Sequence, residues 1–373
     1  MKIQINNAKS ISGQINEVFN LYLSDNTTNE NIKNIPDNWQ ADTIIDAQNN
    51  YVFSNVTDLS FLSNEEFAIE KPILQQAGNY LTSNISYNKN SDKSWLANNQ
   101  QHSDNHIVLH NKITSQDLPS FINILNYAKS CNKIVYINAN ILNPSNMLGD
   151  DSHISIRLGL GQNLSCYETS SLFTILSLIN YVKCNCFIYD ISCNESLDII
   201  YKFKKNNDQV KFGLNIHHLL LSNNDLGFFD TKYKFNPPLR SLANQQLLVQ
   251  GINNNLIDFV YSGHSMINLY DKQVPFAQAK SGSGSGEIFI PLLFKLADLH
   301  HINLEKVLQC ANISTCLDVN NLVIFNPNCE WQFTGKNINS QSKINCFNKY
   351  PLIGKVEHTI LKQNNKFNLY SYV

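Results

Sequence analysis

Few residues in this chain are placed to do chemistry. His217-His218 closes the apolar run that starts at Leu214 and is followed by Leu219-Leu220-Leu221. Neutral imidazoles at a strand end can hold a transition metal, or can serve as a hydrogen-bonded structural pair, which is the commoner use. Asp150-Asp151 follows Gly149 ahead of Leu158-Gly159-Leu160, and a carboxylate there also suits a helix cap or a solvated loop. Cys184-Asn185-Cys186 is the only close cysteine pair. Its spacing is wrong for a redox CxxC, and no second pair stands at zinc-ribbon distance, so two small apolar thiols on a buried strand are favoured. Gly282-Ser283-Gly284-Ser285-Gly286 precedes a helix, but it is not GxGxxG and no P-loop lysine follows. A mobile loop between strand and helix is favoured over a phosphate cradle.

These residues need a scaffold. Ile3 to Ile5, Val18 to Leu23, Thr43 to Ile45 and Tyr51 to Phe53 alternate like short strands, as do Leu322 to Phe325, Gly354 to Val356 and Thr359 to Leu361. The middle instead alternates buried-strand runs, Lys133 to Ile137 and Cys186 to Tyr189, with helices expected over Leu118–Ala128, Ser170–Val182, Glu195–Lys204 and Ile290–Leu299. That order predicts an α/β fold: a (β/α) barrel over 58–317, favoured over a doubly wound sheet, with a small β domain from 1–57 plus 318–373.

Composition excludes several classes. A formal charge of -2 with 16% charged residues leaves no basic stripe for nucleic acid and no acidic tail. Asparagine runs such as Asn253-Asn254-Asn255 supply much of the polar surface. No apolar run reaches the roughly 18–20 residues that span a bilayer, and the N-terminus has no signal-like apolar region. Nine cysteines without such a signal read as reduced thiols, so a cytoplasmic protein is expected.

Longer segments carry a resemblance. Leu214 to Leu221 followed by Tyr233-Lys234-Phe235-Asn236-Pro237-Pro238-Leu239-Arg240 is similar to the TPHHL and NPPLR segments of class I dihydroorotases. Ile257 to His264, Pro275-Phe276, the stretch from Gly282 to Leu293 with Glu287 and Pro291, and Asn321 to Trp331 resemble further segments of that family, as do Lys343, Phe347 and Gly354-Lys355-Val356. The resemblance implies a (β/α)8 TIM-type barrel with a small β-sandwich domain formed from both chain ends. It also implies a one- or two-zinc centre acting on carbamoyl aspartate or dihydroorotate in pyrimidine biosynthesis.

Residue by residue, the resemblance implies a depleted site. Asp58 is kept, but Ser60 and Leu62 stand where the family's HxH ligands fall, and Asn64 stands where its arginine falls. Asp151 takes the place of a metal-binding carboxylate, and Phe187 and Asp190 take the places of two histidines. His217 and His218 survive, one being a ligand position. Gly263 replaces the catalytic aspartate, His264 remains beside it, and Ile267 falls at a further substrate histidine. Remnant metal candidates are therefore Asp151, Asp190, His217 and His218, and substrate-binding candidates are Asn236, Arg240 and His264. No cofactor is expected unless zinc enters the remnant site. Three functions stay open: a non-catalytic homologue associating with aspartate carbamoyltransferase, an amidohydrolase with a single metal, and a small-molecule binder using the emptied mouth. A homodimer fits each of them; nucleic acid and membrane partners are not expected.

Overall fold

A computed structural model describes residues 1–11, 18–25, 39–59, 62, 64–81, 106–109, 113–144, 147–313, 317–318, 320–335 and 338–371. The chain divides into two compact units. One comprises Met1–Leu59, Ala68–Leu81 and Gly284–Val373, the other Ser60–Phe67 and Thr82–Ser283.

The first unit is organised by strands from both chain ends. These are β1 (Ile3–Ser10), β2 (Val18–Leu23), β3 (Thr43–Asp46) and β4 (Tyr51–Ser54) from one end. A short parallel pair, β5 (Val56–Asp58) and β6 (Asn79–Leu81), follows in the same unit. In the second unit come β7 (His106–Leu109), β8 (Ile134–Asn138), β9 (Cys186–Tyr189), β10 (Val210–Asn215) and β11 (Phe259–Tyr261). The other chain end adds β12 (Asn321–Gln332), β13 (Pro351–Gln363) and β14 (Lys366–Ser371) to the first unit.

The terminal strands form one seven-stranded sheet, ordered β14-β13-β12-β4-β1-β2 with β3 on β1. Alternation drives it: Ile3 and Ile5 bury one face of β1 against Leu21, Leu23, Val52, Leu322, Ile324 and Ile360. The expected strands at Gly354–Val356 and Thr359–Leu361 are one strand. Polar Glu357-His358 interrupts the apolar pattern, but the ladder to β12 continues across it with a register shift between Ile324 and Phe325.

The second unit holds a five-stranded parallel sheet, ordered β11-β10-β9-β8-β7. All four residues of β9 are buried, as expected of a parallel strand covered on both faces. Helices Leu118–Ser130, Ser165–Val182, Glu195–Lys204 and Leu242–Asn253 follow strands in βα order. The second of these starts five residues before the expected Ser170. Asp151 accepts a hydrogen bond from the Ser165 backbone N–H at 3.0 Å, which stabilises that extra turn from outside the helix. No helix among the described residues is long and apolar enough to cross a membrane.

Candidate functional site

Parallel strands present their carboxyl ends together, and that edge is where such sheets build sites. Asn138 ends β8, Asp190 follows β9, Asn215 ends β10 and Tyr261 ends β11. All four line one cavity of about 500 Å³ in the second unit, with Leu62, Phe235, Asn236, Gly263, His264 and Lys280 among its other walls. Ser281 and Gly282 border it too. The glycine-rich run is anchored here: Ser283 is buried, bridges to His264, and accepts the Ser265 backbone N–H at 3.0 Å.

Asp190 and Glu66 are the carboxylates that line this cavity, and Asp190 is the one at a strand end. It adopts a left-handed backbone (φ 58°), which turns the chain at the strand end. Tyr261 Oη donates to its Oδ1 at 2.6 Å and Asn138 Nδ2 to its Oδ2 at 2.8 Å. The Asp190 backbone N–H donates to Tyr261 Oη at 2.9 Å, and Asn140 Nδ2 donates to the Asp190 carbonyl at 2.7 Å. Burial, and then the Asp190 charge, push the Tyr261 phenol well above its usual range, so it stays a donor. At the rim Lys280 Nζ lies 3.3 Å from Glu66 Oε1.

The other metal candidates point elsewhere. His217 is fully buried; its Nδ1 lies 2.6 Å from Asn215 Oδ1 and its ring centroid 4.5 Å from that of Phe235. Burial, then the neighbouring His218, hold it well below the usual histidine range. His218 Nε2 lies 3.3 Å from the Pro237 carbonyl, which only accepts, so the nitrogen carries the proton. Burial lowers the His218 pKa from the ordinary 6.5 to about 4. Both imidazoles are neutral near pH 7 and engaged in local structure.

Asp151 and Arg240 belong to a separate network. Arg240 is buried, donating from Nε to Ser192 Oγ (3.0 Å) and from Nη1 to the Asn163 carbonyl (2.9 Å), with Asp151 Oδ1 at 3.5 Å. Burial alone would raise the Asp151 carboxyl, but the Ser165 N–H and Arg240 hold it below its ordinary value. Ser192 Oγ in turn donates to Glu168 Oε2 at 2.5 Å. Glu168 is fully buried and also accepts from the Cys193 backbone N–H and from Ser196 Oγ, at the start of helix Glu195–Lys204. Neither Arg240 nor Asp151 lines the cavity, whereas Asn236 and His264 do. His264 is buried, and its backbone N–H donates to Ser262 Oγ at 3.0 Å.

Gly263 is the most informative position. Its φ is 59°, and a Cβ there would stand 2.1 Å from Asn215 Nδ2 and 2.5 Å from Asn215 Cγ. The space that any side chain at 263 needs is filled by Asn215. Asn215 is held in place by accepting from the His217 backbone N–H at 3.1 Å as the cap of the short helix Ile216–Leu220.

Zinc needs three or four converging nitrogen, sulfur or oxygen ligands. Among the described residues no group of three His, Cys, Asp or Glu side chains is placed to hold a metal. Of the four sequence candidates only Asp190 lines the cavity, and its two oxygens already accept from Tyr261 and Asn138. These residues do not fit a zinc centre. Leu62, at one family ligand position, is a buried apolar wall; Ser60, at the other, lies outside the described residues.

Sequence reasoning passed over Tyr261, Asn138, Asn215 and Glu168. Glu168 had a signal: it shares the inward stripe of its helix with Leu172, Ile175 and Ile179, where an acid must find partners. The asparagines had none, since the chain uses this residue throughout its surface.

No family model matches the chain. It is 27% identical over 227 residues to a dihydroorotase of Ruminiclostridium cellulolyticum, covering 57% of this chain and 53% of that one. To a dihydroorotase of Bacillus licheniformis it is 35% identical over 136 residues, 36% of this chain and 32% of the relative. To that of Ehrlichia canis it is 28% identical over 251 residues, 64% and 56%. The chain thus spans between about a third and just over half of these curated relatives. Among solved structures, a D-hydantoinase superposes with a TM-score of 0.78 at 16% identity, covering 98% of this chain and 95% of that one. A dihydropyrimidinase from Brevibacillus agri gives 0.75 at 14%, covering 100% and 97%. That likeness shows the fold class: an α/β barrel with an added sheet domain, as the alternation of strands and helices predicts.

Proposed function

We propose that the chain is a member of the cyclic amidohydrolase superfamily, a reading that its partial likeness to dihydroorotases and its fold support, and that it is a dihydroorotase-like protein that does not turn over a cyclic amide. One observation carries the proposal. Asn215 fills the space next to Gly263, the position where the resemblance places the catalytic base, so a proton acceptor cannot be accommodated there without dismantling the cap on Ile216–Leu220. General-base catalysis requires a group within hydrogen-bond reach of the proton it removes.

The role that fits a retained framework with a dismantled centre is support of aspartate carbamoyltransferase within pyrimidine biosynthesis, as the resemblance to degenerate dihydroorotases implies. The single-metal alternative is weaker, because Asp151, His217 and His218 make structural bonds and do not line the cavity that Asp190 lines. Small-molecule binding has one observation in its favour, the 500 Å³ polar-walled cavity. The test is to purify the full chain with and without aspartate carbamoyltransferase. Expected are substoichiometric zinc, no turnover of dihydroorotate, and co-elution of the two proteins. Tightly held zinc at one per chain together with turnover would overturn the proposal. Thermal stabilisation by orotate or carbamoyl aspartate without turnover would favour the binding role.

A further inference from the structure

Cys184 and Cys186 take no part in the cavity. Cys184 lies between helix Ser165–Val182, which ends at Lys183 in a left-handed turn (φ 59°), and β9, which opens at Cys186. Residues two apart on extended backbone project to the same side. Here the two sulfurs stand 3.2 Å apart, within S–H···S distance, and both residues are buried. A disulfide needs about 2.05 Å, so closing the bond takes an approach of only about 1 Å.

The pair is chemically unequal. A hydrogen bond from Cys186, and more weakly the charge of Lys129, hold the Cys184 thiol below its usual range. The Lys129 amine is fixed nearby by donating to the Val182 carbonyl at 2.7 Å. Burial pushes the Cys186 thiol well above its usual range. An attacking thiolate and a proton-bearing partner are the two components a dithiol switch requires. Cys131 and Cys166, by contrast, are exposed free thiols.

We infer that Cys184 and Cys186 form a redox-modification site, converted by a small hydroperoxide to an intrachain disulfide. The Cys184 thiolate attacks one peroxide oxygen and the O–O bond breaks. The departing oxygen takes a proton and leaves as water, and Cys184 becomes a sulfenic acid. The Cys186 sulfur then attacks Cys184 Sγ, the S–O bond breaks, and the hydroxide leaves with the Cys186 proton as a second water. Two thiols and one hydrogen peroxide thus give one disulfide and two waters. Burial restricts the oxidant to small molecules. The bridge would lie at the start of β9, whose other end carries Asp190.

The test exposes the folded full chain to hydrogen peroxide, alkylates the remaining thiols with iodoacetamide, and analyses the tryptic peptide running from Cys184 to Lys202. Expected is a peptide two hydrogens lighter in which only Cys193 carries the alkyl group, formed at least about tenfold faster than Cys193 is oxidised. Cys186→Ser should trap Cys184 as a sulfenic acid that reacts with dimedone, while Cys184→Ser should leave Cys186 a thiol. Recovery of the peptide with all three cysteines alkylated, while Cys131 and Cys166 are oxidised, would overturn the inference. The unsubstituted chain decides the matter by itself, even if a serine variant fails to fold.

Discussion

Replacing Gly263 by alanine probes the reasoning behind the proposed loss of catalysis. The new Cβ meets two penalties. A left-handed backbone with a side chain costs about 1 kcal/mol. The greater penalty is steric: Nδ2, Cγ and Oδ1 of Asn215 all lie within 2.5 Å of the added carbon, so Asn215 must rotate away. Rotation gives up its cap on the His217 N–H and its contact with His217 Nδ1, worth about 1 kcal/mol for the cap and about 1–2 for the buried bond. Gly263→Ala should therefore lose about 3–4 kcal/mol. Asn215→Ala alone gives up the same two bonds, about 2–3 kcal/mol. In the double variant those bonds are already gone and the added carbon meets open space, so the total should be about 2–3 kcal/mol less than the sum of the singles. Urea unfolding of the four proteins measures the cycle. Additivity to within about 0.5 kcal/mol, or a Gly263→Ala protein as stable as the parent, would refute the view that Asn215 occupies the base's place.

Two further outcomes follow from the buried ionisable side chains. His218 titrates at about 4 when folded, against an ordinary value of 6.5, so the unfolded chain binds its proton first. Stability from this group is complete above pH 6.5 and falls as pH drops toward 4, by about 3 kcal/mol in all. His217, also lowered, acts in the same direction. Thermal midpoints across this range should fall less steeply in His218→Gln, and an unchanged slope would count against a neutral buried imidazole. Arg240→Met should cost about 3 kcal/mol, because it strips partners from Ser192 and Asn163 in a buried network. Arg240→Lys should recover little of this, since one ammonium cannot reproduce the planar fork. A Met variant with the parent's urea midpoint would show that Arg240 is not structural.

The scaffold was legible where a pattern has one physical solution. Cys186 to Tyr189 and Glu195 to Lys204 form a strand and a helix at the bounds the periodicity predicts, because an unbroken apolar run and a one-sided stripe each admit a single buried arrangement. The site was legible in part. His217 and His218 are identifiable as a polar pair at a strand end, but whether they face a cavity or the protein depends on Asn215 and Pro237, which lie apart from them in role and, for Pro237, in sequence. Asp151 shows the same limit. Its alternatives, ligand or helix cap, differ only in where Ser165 and Arg240 come to rest, and long-range placement of this kind leaves no local trace.

The sheet shared by the two chain ends has a consequence for the order of folding. Asp318 reaches Ser54 across 264 positions and Asn50 reaches Glu357 across 307, while β4 has β12 as its central partner. A ribosome releases β1 to β4 long before β12 exists. Until then the side of β4 opposite β1 is an open sheet edge, a template for association with other chains. Closing so long a loop adds little equilibrium penalty, since the entropy grows only logarithmically with length, but it delays the last step of assembly. Whatever shields β4 during synthesis governs how much of this protein reaches its folded form.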